Sequence, residues 1–299
     1  VHRLRDFKDT RFEHFLAGSI ALGPPVREAA IRGVEIGFGE LNLKEAGVGA
    51  LIRKAVSEVK KWHRGGNTHL GISLLFIPLT ISAGVCIAKY GNFRALREWV
   101  SHVVKSTTSI DAVEFYKAIR IVNPGGLGRV KGEKRVDATE DNFENEILSK
   151  GVTLYDLMEE SSSWDIVAWE FVNALKTAFE IGYPKFWQIY EETSDVNIAT
   201  VHTFLELLAF RPDTLIARKI GLKYTEVIDK AVEIGLNEAE KYSRKAREIL
   251  ELGGLKTVKG RRALRKLDEE LAQRGLNPGS TADILAASIY ISILYGFRP

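Results

Sequence analysis

Cysteine is almost missing from this 299-residue chain. Cys86 stands alone inside an apolar run, which excludes a disulfide framework and any zinc centre built on paired thiolates. The six histidines are scattered without zinc-type spacing. No serine sits in the glycine-flanked turn of an α/β-hydrolase nucleophile, and no glycine-rich loop carries the lysine of a P-loop. Charge of one sign is not in excess: 42 basic residues stand against 39 acidic ones, a formal net charge of +3. Nucleic-acid binding therefore does not follow from bulk charge. No signal-peptide pattern is present, so a cytoplasmic protein is expected. Met158 is the one methionine, and scarce Met, Gln and Cys beside abundant Glu, Lys and Arg resemble a thermophile's composition.

Two-residue alternation is also rare, which argues against sheet. What fills the chain is helical periodicity. Phe12, Phe15, Leu16 and Ile20 recur at three and four, as do Ile52, Val56 and Val59, then Ala112, Phe115, Ile119 and Val122. The same spacing runs through Ile166, Trp169, Phe171-Val172, Leu175 and Phe179, and through Val201, Phe204-Leu205 and Leu208. Turn residues punctuate these runs at Gly23-Pro24-Pro25, Gly65-Gly66-Asn67, Asn123-Pro124-Gly125-Gly126 and Gly253-Gly254. The expectation is a single compact all-α domain over 1–299, with a buried central helix. The charged segment 226–271 should form a hairpin turning at Gly253-Gly254, and 128–145 an exposed loop. Leu70 to Ala88 is about nineteen residues without a charge, close to membrane-spanning length. Pro78 interrupts it and basic residues flank both ends, so a buried helix, or two broken at Pro78, is expected and no membrane association.

Several turn-to-helix corners carry polar groups that could do chemistry. Asn277-Pro278-Gly279-Ser280-Thr281-Ala282-Asp283 opens an apolar run, and a helix start of this kind offers amide N–H groups to an anion. Ser280-x-x-Asp283 also reads as an ordinary capping box. Gly66-Asn67-Thr68-His69-Leu70-Gly71 feeds the long apolar helix, with Asn67 or Thr68 as cap and His69 in the first turn. In the segment from Arg211 to Gly221, Asp213 or Thr214 starts a short helix that Gly221 ends. Arg218 and Lys219 could complement its dipole or, with Arg211, hold a polyphosphate. Asp165, opening the helix through Phe171, is a cap or a magnesium ligand. Asp111 and Arg120 do not share a helix face, and the loop after them follows a helix, not a strand.

In this order the corners resemble the triphosphoribosyl-dephospho-CoA synthase family, whose bacterial members help make the prosthetic group of citrate lyase and malonate decarboxylase. The resemblance runs through Phe12-Glu13-His14-Phe15, Asn67-Thr68-His69, Asn123-Pro124-Gly125-Gly126, Trp164-Asp165, Pro212-Asp213-Thr214 with Arg218-Lys219, and Asn277-Pro278-Gly279 with Thr281-Ala282-Asp283. It implies an all-helical enzyme acting on ATP and dephospho-CoA with Mg2+, and a homodimer stays open. The ribose 2′-hydroxyl of dephospho-CoA would attack the anomeric carbon of ATP, releasing adenine. Placed on these motifs, residue chemistry assigns His69 or Asp283 as base and Asp165 and Asp213 to the metal. It assigns Asn67, Arg211, Arg218, Lys219, Asn277, Gly279, Ser280, Thr281, Gly125 and Gly126 to substrate.

Overall fold

The computed structural model describes residues 5–7, 9–122, 136–138 and 140–299. Among these, all regular structure is helical and no strand forms, as the missing two-residue alternation implies. The chain divides into two compact units, one of Val1–Ser163 with Phe171–Ala174 and one of Trp164–Glu170 with Leu175–Pro299. The expected glycines 125 and 126 lie outside the described residues.

The first unit runs through α1 (Phe12–Ala21), α2 (Gly23–Phe38), α3 (Val48–Trp62), α4 (Leu70–Tyr90), α5 (Leu96–Lys105), α6 (Ser109–Val122), α7 (Phe143–Lys150) and α8 (Leu154–Ser161). Helix α4 is its axis. It packs against α2, α3 and α5, and its middle, from Leu74 through Cys86, is almost wholly buried. Of the two expected forms the unbroken one is found: α4 is one continuous 21-residue helix with Pro78 inside it. Proline removes one donor, and Ser82 Oγ donates back to the Pro78 carbonyl at 2.7 Å in the same turn. The helix is long and apolar enough to cross a membrane, but 72% of its most apolar window is buried within the protein. The irregular stretch also ends earlier than 145. Phe143 opens α7, fully buried against Tyr116 and beneath the Arg120 guanidinium, 4.6 Å from its ring.

The second unit begins at Trp164 with α9 (Ile166–Val172) as far as Glu170, resumes at Leu175 with a π-helical turn at Ala178–Gly182, and adds α10 (Tyr183–Thr193), α11 (Val196–Phe210), α12 (Thr214–Gly221), α13 (Ile228–Glu251), α14 (Val258–Gln273) and α15 (Gly279–Leu294). The hairpin of α13 and α14 turns at Gly253 and Gly254, whose φ angles of 90° and 52° lie in the left-handed region that glycine adopts without penalty. Tyr242, Ala246 and Ile249 of α13 pack with Leu267 and Leu271 of α14 over Leu205 and Leu208 of α11. Helices α12 and α13 touch backbone to backbone. A β-carbon at Gly221 would strike the Ala231 carbonyl, and one at Gly235 the Ala217 carbonyl. The helix expected from Asp165 through Phe171 is found as α9, but the helical period towards Phe179 is not one helix. Helix α9 stops at Val172, and Ala174 and Leu175 turn the chain with φ of 51° and 53°.

Candidate active site

In the second unit three helix starts meet. Thr214, first residue of α12, accepts the Ile166 N–H of α9 at 3.2 Å and donates to Ser280 Oγ of α15 at 3.3 Å. Beside it Asp213 is wholly enclosed. Its Oδ1 accepts the Ile216 N–H at 3.0 Å, and its Oδ2 accepts both the N–H and the hydroxyl of Thr281 at 2.7 and 2.8 Å. One carboxylate thus caps its own helix and a second one. Burial pushes the Asp213 carboxyl above the usual range, and the donors of Thr281 and Ile216 oppose that shift.

This geometry corrects two expectations. Ser280 does not stand at the N-cap, because α15 begins a residue earlier, at Gly279 after Pro278, and its side-chain cap comes from Asp213 on the neighbouring element. Gly279 donates to the Asn277 carbonyl and Thr281 to Asp213, so most of the amides expected to cradle phosphate are already engaged. Asp213 fits a metal poorly for the same reason: both oxygens are committed to buried donors. Asp283 follows one turn in, half-buried on α15.

Asp165 is differently placed. Its Oδ1 caps α9, accepting Val167 N–H at 2.8 Å and Ala168 N–H at 3.3 Å, while Oδ2 lies 3.8 Å from Arg218 Nη1. Arg218 Nε is buried without a partner, and the neighbouring Lys219 ammonium donates to Asn277 Oδ1. Arg211 lies over the Trp169 ring, 4.3 Å from its centroid, and lines a pocket with Ile166, Glu170, Thr177 and Thr281. Of the expected residues, Asp165, Arg218, Lys219, Asn277, Ser280, Thr281 and Asp213 are therefore linked through direct bonds among α9, α12 and α15, and Arg211 shares its pocket with Thr281.

Asn67 and His69 sit together in the first unit. Asn67 Oδ1 accepts the Leu70 N–H at 3.1 Å and so caps α4, as expected. His69 belongs to a chain of hydrogen bonds, buried from His63 to His69 and reaching the surface at Ser19, whose direction is fixed at its ends. Gly65 N–H donates to His63 Nδ1 at 3.1 Å, so neutral His63 must carry its proton on Nε2, facing Thr68 Oγ1 at 3.1 Å. The Thr68 hydroxyl then donates to His69 Nδ1 at 2.6 Å, and His69 Nε2–H points to Ser19 Oγ at 3.3 Å. Ser19 ends the chain by donating to the Phe15 carbonyl at 2.8 Å. His14 stacks on His63 with ring centroids 5.0 Å apart. Burial first, then the neighbouring His63, lowers the His69 pKa to about 4. Both ring nitrogens are engaged, and burial disfavours the protonated ring.

Glu170 was not among the expected residues. It is fully buried, with Oε1 accepting Thr177 N–H at 3.0 Å and Oε2 accepting Ala178 N–H at 3.1 Å. Its signal in the sequence is a lone carboxylate within the apolar run from Ile166 to Val172. Among the described residues no group of three or more His, Cys, Asp or Glu side chains could hold a metal ion.

Fold and site together define an all-helical protein with a cationic, hydroxyl-lined corner and no strand-borne phosphate loop among the described residues. The chain belongs to the ATP:dephospho-CoA triphosphoribosyl transferase family, whose model it matches over residues 1–298. It is 36% identical over 109 residues to the 2-(5''-triphosphoribosyl)-3'-dephosphocoenzyme-A synthase of Klebsiella pneumoniae, a match covering 36% of this chain and 32% of that protein. It is 38% identical over 81 residues to a Pseudomonas savastanoi pv. phaseolicola protein of the same name, covering 27% of each. The stretches matched thus span about a third or less of these relatives' own length. The fold recurs in a crystal structure from Archaeoglobus fulgidus assigned as a triphosphoribosyl-dephospho-CoA synthase. That chain is 23% identical, with a TM-score of 0.67, and the match covers 95% of this chain and all of the other.

Proposed function

We propose that this protein transfers the 5-triphosphoribosyl group of ATP to the ribose 2′-hydroxyl of dephospho-CoA and releases adenine. The observation that carries the proposal is membership of the transferase family over residues 1–298. The site's chemistry supports it. Arg211, Arg218 and Lys219 supply positive charge for a triphosphate, and Thr214, Ser280 and Thr281 supply hydroxyls around it. Arg211, over the Trp169 ring, is held in place by that contact.

Magnesium accompanying ATP would neutralise phosphate charge. Asp165 fits it better than Asp213, because only one Asp165 oxygen is committed to a cap and the other faces Arg218. A single carboxylate with phosphate oxygens and waters is an ordinary magnesium environment. Arg218 and Lys219 would hold the triphosphate as the sugar departs, and the oxocarbenium-like centre would gain stability from the nearby anions.

The test is adenine release from ATP by purified protein, with and without dephospho-CoA and Mg2+, using Asp165→Ala as control. Release that requires dephospho-CoA supports the proposal. Adenine or phosphate release indifferent to it would assign a different acceptor or a hydrolase, and unchanged turnover in Asp165→Ala would remove that residue from the metal's surroundings.

A further inference from the structure

We infer that Glu170, acting from the pocket it shares with Thr177, Arg211 and Thr281, takes the proton from the attacking hydroxyl; this rests on the transferase reading above. Glu170 is the one charged side chain of α9, and the fold encloses it completely. The groups that hold it are backbone amides, those of Thr177 and Ala178, with the Thr177 hydroxyl as a third donor. A carboxylate offers about four acceptor positions, so one remains for a ligand. No ion pair neutralises it among the described residues. Arg211, just beyond the end of α11, is the charged group that acts on it, and that guanidinium rests on Trp169 without a described hydrogen-bond acceptor of its own. Thr281 and Ile284 of α15, and Thr177 and Ala178, bring no further charge.

The backbone around Glu170 is costly to build. Ala174 and Leu175 are consecutive non-glycine residues with φ near +50°, a conformation L-residues rarely adopt. The π-helical turn Ala178–Gly182 follows at once, and it closes only because Gly182 has no side chain against Ser288. These features place the amides of Thr177 and Ala178 onto the carboxylate. Strain of this kind persists where the surrounding fold holds a functional group in place.

The step balances without a further reactant. The hydroxyl proton moves to a Glu170 Oε, and the freed oxygen forms its bond to C1′ of the ATP ribose. The C1′–N9 bond breaks as its electron pair leaves with adenine, which takes up one proton from solvent, and Glu170 returns its own proton to solvent to restore the carboxylate. Burial pushes the Glu170 carboxyl above the usual range, opposed by its amide donors and by Arg211, which suits a base at neutral pH.

The experiment compares wild type, Glu170→Gln and Glu170→Asp as full chains, by adenine release between pH 5 and 9, ATP binding by calorimetry, and thermal unfolding. Glu170→Gln should lower kcat by roughly 10²–10⁴-fold, leave ATP affinity within about threefold, and lose the acid limb of the rate profile. Its unfolding midpoint should fall only modestly, because one amide of Thr177 or Ala178 loses its acceptor while a buried charge is removed. Glu170→Asp should keep the limb at an intermediate rate. Wild-type-like kcat and pH profile in Glu170→Gln would overturn the assignment, as would joint loss of ATP binding and unfolding midpoint, which marks a helix cap. Absence of adenine release from wild type would instead remove the transferase reading, and Glu170's role with it.

Discussion

Replacing Asp213 with alanine should unfasten two helices at once. The carboxylate accepts one amide of α12 and both an amide and a hydroxyl of α15, all away from water. A hydrogen bond to a charged group contributes about 1.5–3 kcal/mol, and a buried donor left without an acceptor costs about 1–3 kcal/mol. The Thr281 hydroxyl can turn to a new partner, whereas the two amides cannot. Relief of the buried charge offsets part of the loss, so we expect Asp213→Ala to cost on the order of 3–5 kcal/mol. Asp213→Asn keeps one acceptor oxygen and should lose about half as much. Urea unfolding at pH 7.5, followed by far-UV circular dichroism and tryptophan fluorescence, measures both. An alanine variant within about 1 kcal/mol of wild type would refute the double cap. So would an asparagine variant of normal stability whose adenine release needs far more Mg2+, since that behaviour belongs to a metal ligand.

Other outcomes follow from features already described. The His69 pKa, lowered from 6.5 to about 4, means that the folded state binds fewer protons than the unfolded chain. Its stability is complete above about pH 6.5 and should fall by about 3 kcal/mol as pH drops towards 4, a slope that urea titrations would show flattened in His69→Gln. Gly221→Ala and Gly235→Ala each drive a methyl into a facing carbonyl and should cost roughly 1–3 kcal/mol or more in the same assay. Arg211→Lys keeps the charge but loses the stack on Trp169, so steady-state kinetics should show KM for ATP rising about tenfold with kcat little changed.

The helical architecture was legible because apolar spacing and turn residues agreed along most of the chain: α3, α6, α11 and the α13–α14 hairpin lie where periodicity puts them. The failures have local causes. Ile166 to Phe179 carries a helical period, yet Glu170 captures the amides of Thr177 and Ala178 and the chain turns through Ala174 and Leu175. Spacing alone contains no trace of a side chain competing for backbone amides seven and eight residues ahead. The corner residues were legible as polar groups at helix starts, and Asp165, Arg218, Lys219 and Asn277 are indeed joined by contacts. Their division of labour was hidden, because a cap and a ligand look alike until the donors around each oxygen are known. Asp213 and His69 drew attention by residue type, and it is their neighbours (Thr281 for one, Thr68 and Ser19 for the other) that occupy them.

The crossing of α12 over α13 has one more implication. Because Gly221 and Gly235 let the two main chains rest on each other, the short helix bearing Arg218 and Lys219 rides on a 24-residue neighbour as a single plank. Both cations are thereby mounted on stiff scaffolding and not on a loop. Altering which anion they grip would call for exchanging the side chains themselves, since lengthening or reshaping the flanking turns leaves the plank where it is.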